Sequence, residues 1–393
     1  MISIKNIYYL IFLSIGLNLS FTTGFYFFDL IVLLYISVAL IKKKIYLNKK
    51  TKYFIVALFT LIFFPTCLSI TYQGIIYSVF ENYSIYIPYN LIILTSYIIF
   101  IKNTYHKVIL NETIVMSFIF MPVVIALLMF YSPSINTVIT QIFNISKQNP
   151  YRPAGLWGVD SNQLGYYCVI VLIYALFNTK LKKINSLFGM IIIMTCIITN
   201  LISGMRTGLL AVIVTILLLF LFTNMNFFKL KNILVSAIFL SFFIALSFYI
   251  LSLNNEEFYM FITERFEPQL FLDQLSGESD DGHVGEMYSK WLTKFSQNDS
   301  TLDILFSFDP SWKFPDSFLI FFLANNGLLG FFFLILFLLI AYILIRETKN
   351  YIIYFVFIFS LIVALKGFYP FNNIGMFLFL VLCQNNSNKE ITV

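Results

Sequence analysis

Apolar residues in this chain come in long unbroken runs, such as Leu209–Phe222 and Gly330–Ile345, and not in strict alternation or in helical stripes with a polar opposite face. Runs of that kind describe helices that are apolar all round, the signature of membrane spans or deeply buried helices. Twelve can be marked off, at about 5–22, 24–41, 53–71, 85–101, 113–131, 163–178, 186–202, 209–224, 232–252, 317–345, 351–366 and 371–384. A membrane-crossing helix needs about 20 apolar residues. The pattern therefore predicts an all-α, polytopic integral membrane protein of about twelve transmembrane helices, forming one integral domain over residues 1–393. Asn325, Asn326 and Gly327 interrupt the tenth run, which fits a bent helix or a re-entrant piece ahead of a full span. The twelfth run is short and could be re-entrant too.

Composition agrees with the pattern. The 393 residues are 60% hydrophobic and 11% charged, with a mean hydropathy of +0.87, whereas soluble domains are about 45–50% apolar and about 25% charged. This excludes soluble enzymes, nucleic-acid binders and secreted disulfide scaffolds. An outer-membrane barrel is excluded because its strands alternate apolar and polar positions. The 47 Phe and 25 Tyr need no special function, since Phe is compatible with lipid and Tyr favours the membrane interface. Cys67, Cys168, Cys196 and Cys383 lie in or at the end of apolar runs without a CxxC pair, so they read as small buried residues. The run Ile7–Leu19 behind Lys5 lacks a small-x-small cleavage site and reads as a retained first helix.

Charge orients the spans. With a cytoplasmic N-terminus, 17 of the 25 basic residues fall on the inner side, including the clusters Lys42–Lys44 and Lys49–Lys52, Lys102 and Lys107, Lys180–Lys183, Lys229 and Lys231, and Arg346 with Lys349. That is the positive-inside rule. Both termini are then cytoplasmic. Acidic residues distribute the other way: 15 of 19 face the outer side, and Asp29 lies inside a span. The net charge of +6 thus sums a basic inner rim and an acidic outer surface, and points to no nucleic-acid partner. Two outer loops stand out. One covers residues 132–162; the other, 253–316, is long enough for two or three short helices and is expected to form a cap.

Arginine is the informative residue, because only Arg152, Arg206, Arg265 and Arg346 occur. Arg346 is explained by its cytoplasmic turn. The other three lie on the outer side, and a guanidinium matches the oxygens of phosphate or carboxylate bidentately. Arg152 lies in NPYRPAGLWGVDSNQLGYY (149–167), where prolines and glycines exclude helix, and Asp160, Ser161 and Asn162 are N-cap candidates for a helix starting near Gln163. A helix N-terminus beside an arginine suits phosphate; an ordinary irregular loop is the alternative. Arg206 lies in SGMRTGLLA (203–211), a turn so short that the charge must sit at or below the membrane surface; snorkelling to headgroups is the alternative. Arg265 lies between Glu264 and Glu267, which could simply pair with it. His283, in DDGHVGE of the large loop, is either solvated or a base toward a sugar hydroxyl or phosphate. Asp316 is either an N-cap for the tenth span or a base at the membrane surface. The carboxylates around His283 lack EF-hand spacing, so no metal site is expected, and no cofactor is implied.

Together, RPxGLWGxxxNxxG before a span, the SGxRTGLLA turn, ERF (264–266) opening the large loop, and DSFLIFFLANNGLLGFFF (316–333) after it resemble the O-antigen polymerase (Wzy) family, within the wider O-antigen ligase and polymerase superfamily. The resemblance covers about residues 149–370. It implies a multi-span inner-membrane glycosyltransferase that joins oligosaccharide repeat units carried on undecaprenyl diphosphate, on the periplasmic face and without nucleotide sugars. It assigns diphosphate binding to Arg152, Arg206 and Arg265, with Asn162 in the same motif, and implies a chain-length regulator as partner. Where related sequences often carry a histidine followed by asparagine before the GLLG span, this chain has Asp316 and Ser317. Where many carry an arginine it reads GHVGEMYSKW, so His283, Glu286 or Lys290 stands in that place. The catalytic base is left between His283 and Asp316.

Two other functions compete. A ligase moving finished polymer to a lipid A core acceptor would share the motifs. A lipid-linked oligosaccharide flippase, or another twelve-span transporter, should carry polar residues at the midplane and internal repeats. Here spans such as 209–222 carry no ionisable residue, and polarity gathers on the outer face, which favours reaction at a surface over passage.

Overall fold

The computed structural model describes residues 3–22, 25–42, 44–45, 47, 49–58, 60, 86–143, 145, 155–157, 161–180 and 182–203, together with 293, 296, 305, 328, 332, 377–378 and 380–381. Within them the chain is helical apart from one short hairpin. The elements are α1 (Ile4–Gly16), strands β1 (Ser20–Thr22) and β2 (Phe25–Tyr26), α2 (Phe27–Ile41), α3 (Lys49–Leu58), α4 (Tyr86–Thr104), α5 (Glu112–Tyr131), α6 (Pro133–Phe143), α7 (Ser161–Lys180) and α8 (Ser186–Ile202). Short 3-10 turns occupy Tyr105–Lys107 and Gly155–Trp157. The fold class is all-α.

Helices α2, α4, α5, α7 and α8 coincide with five of the expected runs to within three residues at either end. The first run does not stay helical to residue 22. α1 stops at Gly16, Asn18 takes a left-handed φ of 48°, and the chain enters the antiparallel hairpin pairing Ser20 with Tyr26. Thr and aromatic residues favour strand, and Asn tolerates the left-handed region better than most residues. The runs at 209–224, 232–252 and 351–366 lie outside the described residues. In the tenth run Leu328 and Phe332 are helical, as are Phe377, Leu378, Leu380 and Val381 in the twelfth. Of the large loop 253–316, Thr293, Ser296 and Leu305 are described, and all three are helical.

The contacts divide the chain into two units, one of residues 1–4, 20–109 and 273–393, the other of residues 5–19 and 110–272. In the first unit, α2 and α4 run in the same direction. The hydroxyl of Tyr97 donates to the Asp29 carboxylate, and further along both helices the rings of Tyr35 and Phe100 meet edge to face at 5.1 Å. Asp29 is fully buried in the first turn of α2, where its carboxylate also accepts the Tyr26 backbone N–H at 2.8 Å. That position lets the helix dipole favour the negative charge. Phe28, Tyr97 and Phe377 close over this corner, with ring centroids 5.3–5.8 Å apart.

The second unit is built on α7, which is buried at every residue from Leu164 to Ala175. Its sequence there, LGYYCVIVLIYA, is apolar on all faces, as a fully enclosed helix must be. α1 and α5 run parallel: the Asn111 N–H donates to Tyr9 Oη at 3.1 Å, and seven residues on in both helices Gly16 packs on the Phe118 carbonyl. α7 runs antiparallel to α5, as the Tyr167 hydroxyl donates to the Ile119 carbonyl (2.6 Å) and the Tyr174 hydroxyl to Glu112 Oε2 (3.2 Å). α8 runs antiparallel to α7, with Gly189 against Thr179 and Cys196 beside Cys168. Asn111 and Asn185 cap α5 and α8 by accepting backbone N–H bonds from Thr113 (3.0 Å) and Leu187 (2.9 Å).

Pro122 sits inside α5 and has no N–H for the carbonyl of Phe118, four residues earlier. Neighbouring helices pack closely at this point of α5. A Cβ on Gly16 would stand 2.5 Å from the Phe118 oxygen, so only glycine lets α1 approach that carbonyl. The next carbonyl, Ile119, receives the Tyr167 hydroxyl.

Among the described residues, α5 is the one helix both long and apolar enough to cross a membrane, and only 39% of that stretch is buried within the chain.

Candidate functional site at the open end of the α7–α8 pair

The contacts along α7 fix which segments share a level. Tyr167 pairs with Ile119 and Tyr174 with Glu112, so the start of α7 is level with Ala126 on α5. Gly155 packs against that same Ala126: its φ is 59°, and an added Cβ would fall 2.5 Å from the Ala126 Cβ. Both the dihedral and the space demand glycine there. The turn is held from a second side by Asn18, whose Nδ2 donates to the Leu156 carbonyl at 3.1 Å. The described core of the RPAGLWG motif is thereby anchored at the level where α7 begins.

Ser203, the first residue of the SGMRTG motif, reaches the same level from α8. Cys196 faces Cys168; one turn further along α8 stands Asn200, and one turn back along α7 stands Leu164, both fully buried. The end of α8 is therefore level with the first turn of α7. Arg206 follows Ser203 by three residues, and Arg152 precedes Gly155 by three. Three residues span at most about 11 Å of chain. Gly155 and Ser203, each three residues in sequence from an arginine, thus lie at one end of the described part of the unit.

That end carries a buried polar group in the α7–α8 interface. Thr199, Asn200 and Ser203 have no exposed surface. The Thr199 hydroxyl donates to the Thr195 carbonyl (2.8 Å) and the Ser203 hydroxyl to the Asn200 carbonyl (2.9 Å), so both protons stay within α8. Among the described residues, neither Oδ1 nor Nδ2 of Asn200 has a hydrogen-bond partner. Each such atom costs about 1–3 kcal/mol. Asn200 was not singled out from sequence, although an amide two residues before the end of an apolar run, and six before Arg206, is the signal that marks it.

α7 begins at Ser161, two residues before the expected start at Gln163. Ser161 and Asn162 therefore stand inside its first turn and do not serve as caps. Arg152, Arg206, Arg265, His283 and Asp316 lie outside the described residues, as does the side chain of Asn162. Among the described residues no group of three or more His, Cys, Asp or Glu side chains could hold a metal ion. Cys168 and Cys196 are buried free thiols.

Comparison with protein-family models, with curated proteins and with solved structures returns no match.

Proposed function

We propose that this chain is a polytopic glycosyltransferase of the bacterial inner membrane, of the O-antigen polymerase kind. It joins oligosaccharide repeat units carried on undecaprenyl diphosphate at the periplasmic face, with about twelve spans and both termini in the cytoplasm. The observation that supports the reading is the shared level of Gly155 and Ser203, the described residues next to the two arginine motifs in sequence, beside the buried amide of Asn200. A diphosphate needs several donors converging from different segments, and arginines from two turns at one helix end supply that.

The chemistry follows. The donor sugar is already activated by its diphosphate. A hydroxyl of the acceptor unit attacks the anomeric carbon, the bond from that carbon to the diphosphate oxygen breaks, and undecaprenyl diphosphate leaves with the electron pair. Arg152, Arg206 and Arg265 would neutralise the charge that develops on the leaving group. His283 or Asp316 would take the acceptor proton. No metal or cofactor is required.

Membrane embedding is supported by what the helices leave uncovered. Leu34, Val38, Leu40 and Ile41 on α2, Ile114 and Leu128 on α5, and Leu187, Met190 and Ile191 on α8 are all exposed, which a lipid solvent accommodates and water does not. Within each unit the helix directions are those of alternating spans. α1 and α5, expected as the first and fifth crossings, are parallel; α7 reverses α5 and α8 reverses α7.

The test is Arg206→Ala. Lipid-linked single units should still reach the outer side while polymer is lost, and a normal ladder of polymer lengths would refute the diphosphate role. Arg206→Lys should also polymerise poorly, because lysine cannot offer the bidentate fork.

A further inference from the structure

α6 was not foreseen inside the 132–162 loop, and it is separated from the apolar helix α5 by Ser132 alone. Proline at its first position suits a helix start, where a backbone N–H has no partner to lose. The Asn136 N–H returns to the Ser132 carbonyl at 2.9 Å, so the new helix starts directly at the end of α5. At about 100° per residue, Ile135, Val138, Ile139, Ile142 and Phe143 fall in one unbroken arc, and Ser134, Asn136, Thr137, Thr140 and Gln141 fall in the other. None of the eleven residues is charged, and none is buried. Ile142, within the apolar arc, is 70% exposed, and Val138, at the edge of the arc, is 53% exposed.

We propose that α6 is an interfacial helix whose apolar face docks into the lipid of the leaflet at the C-terminal end of α5. Position argues for lipid as the occupant. A helix that starts one residue beyond a membrane-crossing helix is already at the headgroup boundary, and Tyr131, half exposed at the junction, is a residue favoured there. The separation of faces is that of helices lying in the membrane plane. On the polar face the Thr137 hydroxyl donates to the Pro133 carbonyl (2.9 Å) and the Thr140 hydroxyl to the Asn136 carbonyl (2.8 Å), while Asn136 Oδ1 has no hydrogen-bond partner among the described residues. Lacking charge, the helix binds through apolar burial alone, so its seating should not depend on anionic lipid. The inference rests on α5 crossing the bilayer and is independent of the enzymatic reading.

The experiment places nitroxide labels by cysteine substitution, one at a time, in the full chain with its four native cysteines replaced by alanine, reconstituted in phosphatidylcholine nanodiscs. Collision with oxygen, which concentrates in lipid, is compared with collision with a water-soluble nickel chelate. Labels at Val138→Cys and Ile142→Cys should favour oxygen several-fold over labels at Thr137→Cys and Gln141→Cys. Replacing part of the lipid with phosphatidylglycerol should leave that difference unchanged. Labels at 138 and 142 that are as open to the chelate as those at 137 and 141 would overturn the proposal. Labels there shielded from both reagents would overturn it too, by showing that protein covers the face. A label at Leu128→Cys on α5 separates the premises: oxygen access there with water access at 142 refutes the docking alone, and water access at both refutes the membrane crossing as well. If the cysteine-free chain fails to fold, Ile142→Trp and Gln141→Trp in the native background serve instead. Brominated lipid should then quench the first above the signal of the three native tryptophans and not the second; equal quenching overturns the proposal.

Discussion

Replacing Asn200 by leucine isolates the cost of the buried amide. The two side chains have the same number and branching of heavy atoms, so the substitution exchanges Oδ1 and Nδ2 for two methyl groups and leaves the packing against α7 almost unchanged. Both polar atoms are buried without a partner among the described residues, and each such atom costs about 1–3 kcal/mol. The membrane reference state is partly satisfied as well, which draws the net toward the low end. Asn200→Leu should therefore raise stability by about 1–2 kcal/mol, read as a shift of the unfolding midpoint in mixed detergent micelles. If the amide belongs to the donor set beside the arginine motifs, the same variant should lose polymer length while becoming more stable, the opposite movement expected of a strained functional position. Destabilisation by Asn200→Leu would refute the reasoning, because it would mean that the amide is bonded in the folded protein.

Four further outcomes follow from the packing and the charge pattern. Gly16→Ala puts a Cβ 2.5 Å from the Phe118 oxygen, forces α1 off α5, and should cost about 1–3 kcal/mol in the same unfolding assay. Pro122→Ala should soften that loss by restoring an N–H to the Phe118 carbonyl, and a strictly additive double variant would argue against the shared cause. Tyr97→Phe removes a donor from the buried Asp29 carboxylate and should destabilise by about 1.5–3 kcal/mol, whereas an unchanged midpoint would mean that the bond is not formed. Reporter fusions at Lys183 and Gly277 should read opposite sides of the membrane, and same-side readings would overturn the twelve-span order.

Pattern alone located α5 and α8 almost to the residue, because long apolar runs ended by Asn111 and Asn185 leave few places for a helix to start. It failed at residues 17–26. There the apolar run continues, but α1 stops at Gly16, Asn18 takes a left-handed φ and Ser20–Thr22 pairs as a strand, and hydropathy does not register dihedral preference. It failed again at α6, whose eleven residues are too few and too mixed to score as a span, although their faces separate cleanly once helical period is applied. The outer-side arginines stand out in the sequence because they break the expected positive-inside trend, and they lie outside the described residues. Asn200 was not, because a single amide near the end of an apolar run looks like a frayed boundary until the Cys168–Cys196 contact fixes which way it points.

The pairing of Asp29 with Tyr97 also sets a clock on biosynthesis. The two residues are 68 positions apart, and ribosomes add about 5–20 residues per second, so the carboxylate leaves the ribosome roughly 3–14 s before the hydroxyl that receives it. Until then Asp29 is held by the Tyr26 N–H of its own first turn. α2 then reaches its final seat only after α4 has been made, and the order of synthesis, as much as the final contacts, decides when this corner of the protein closes.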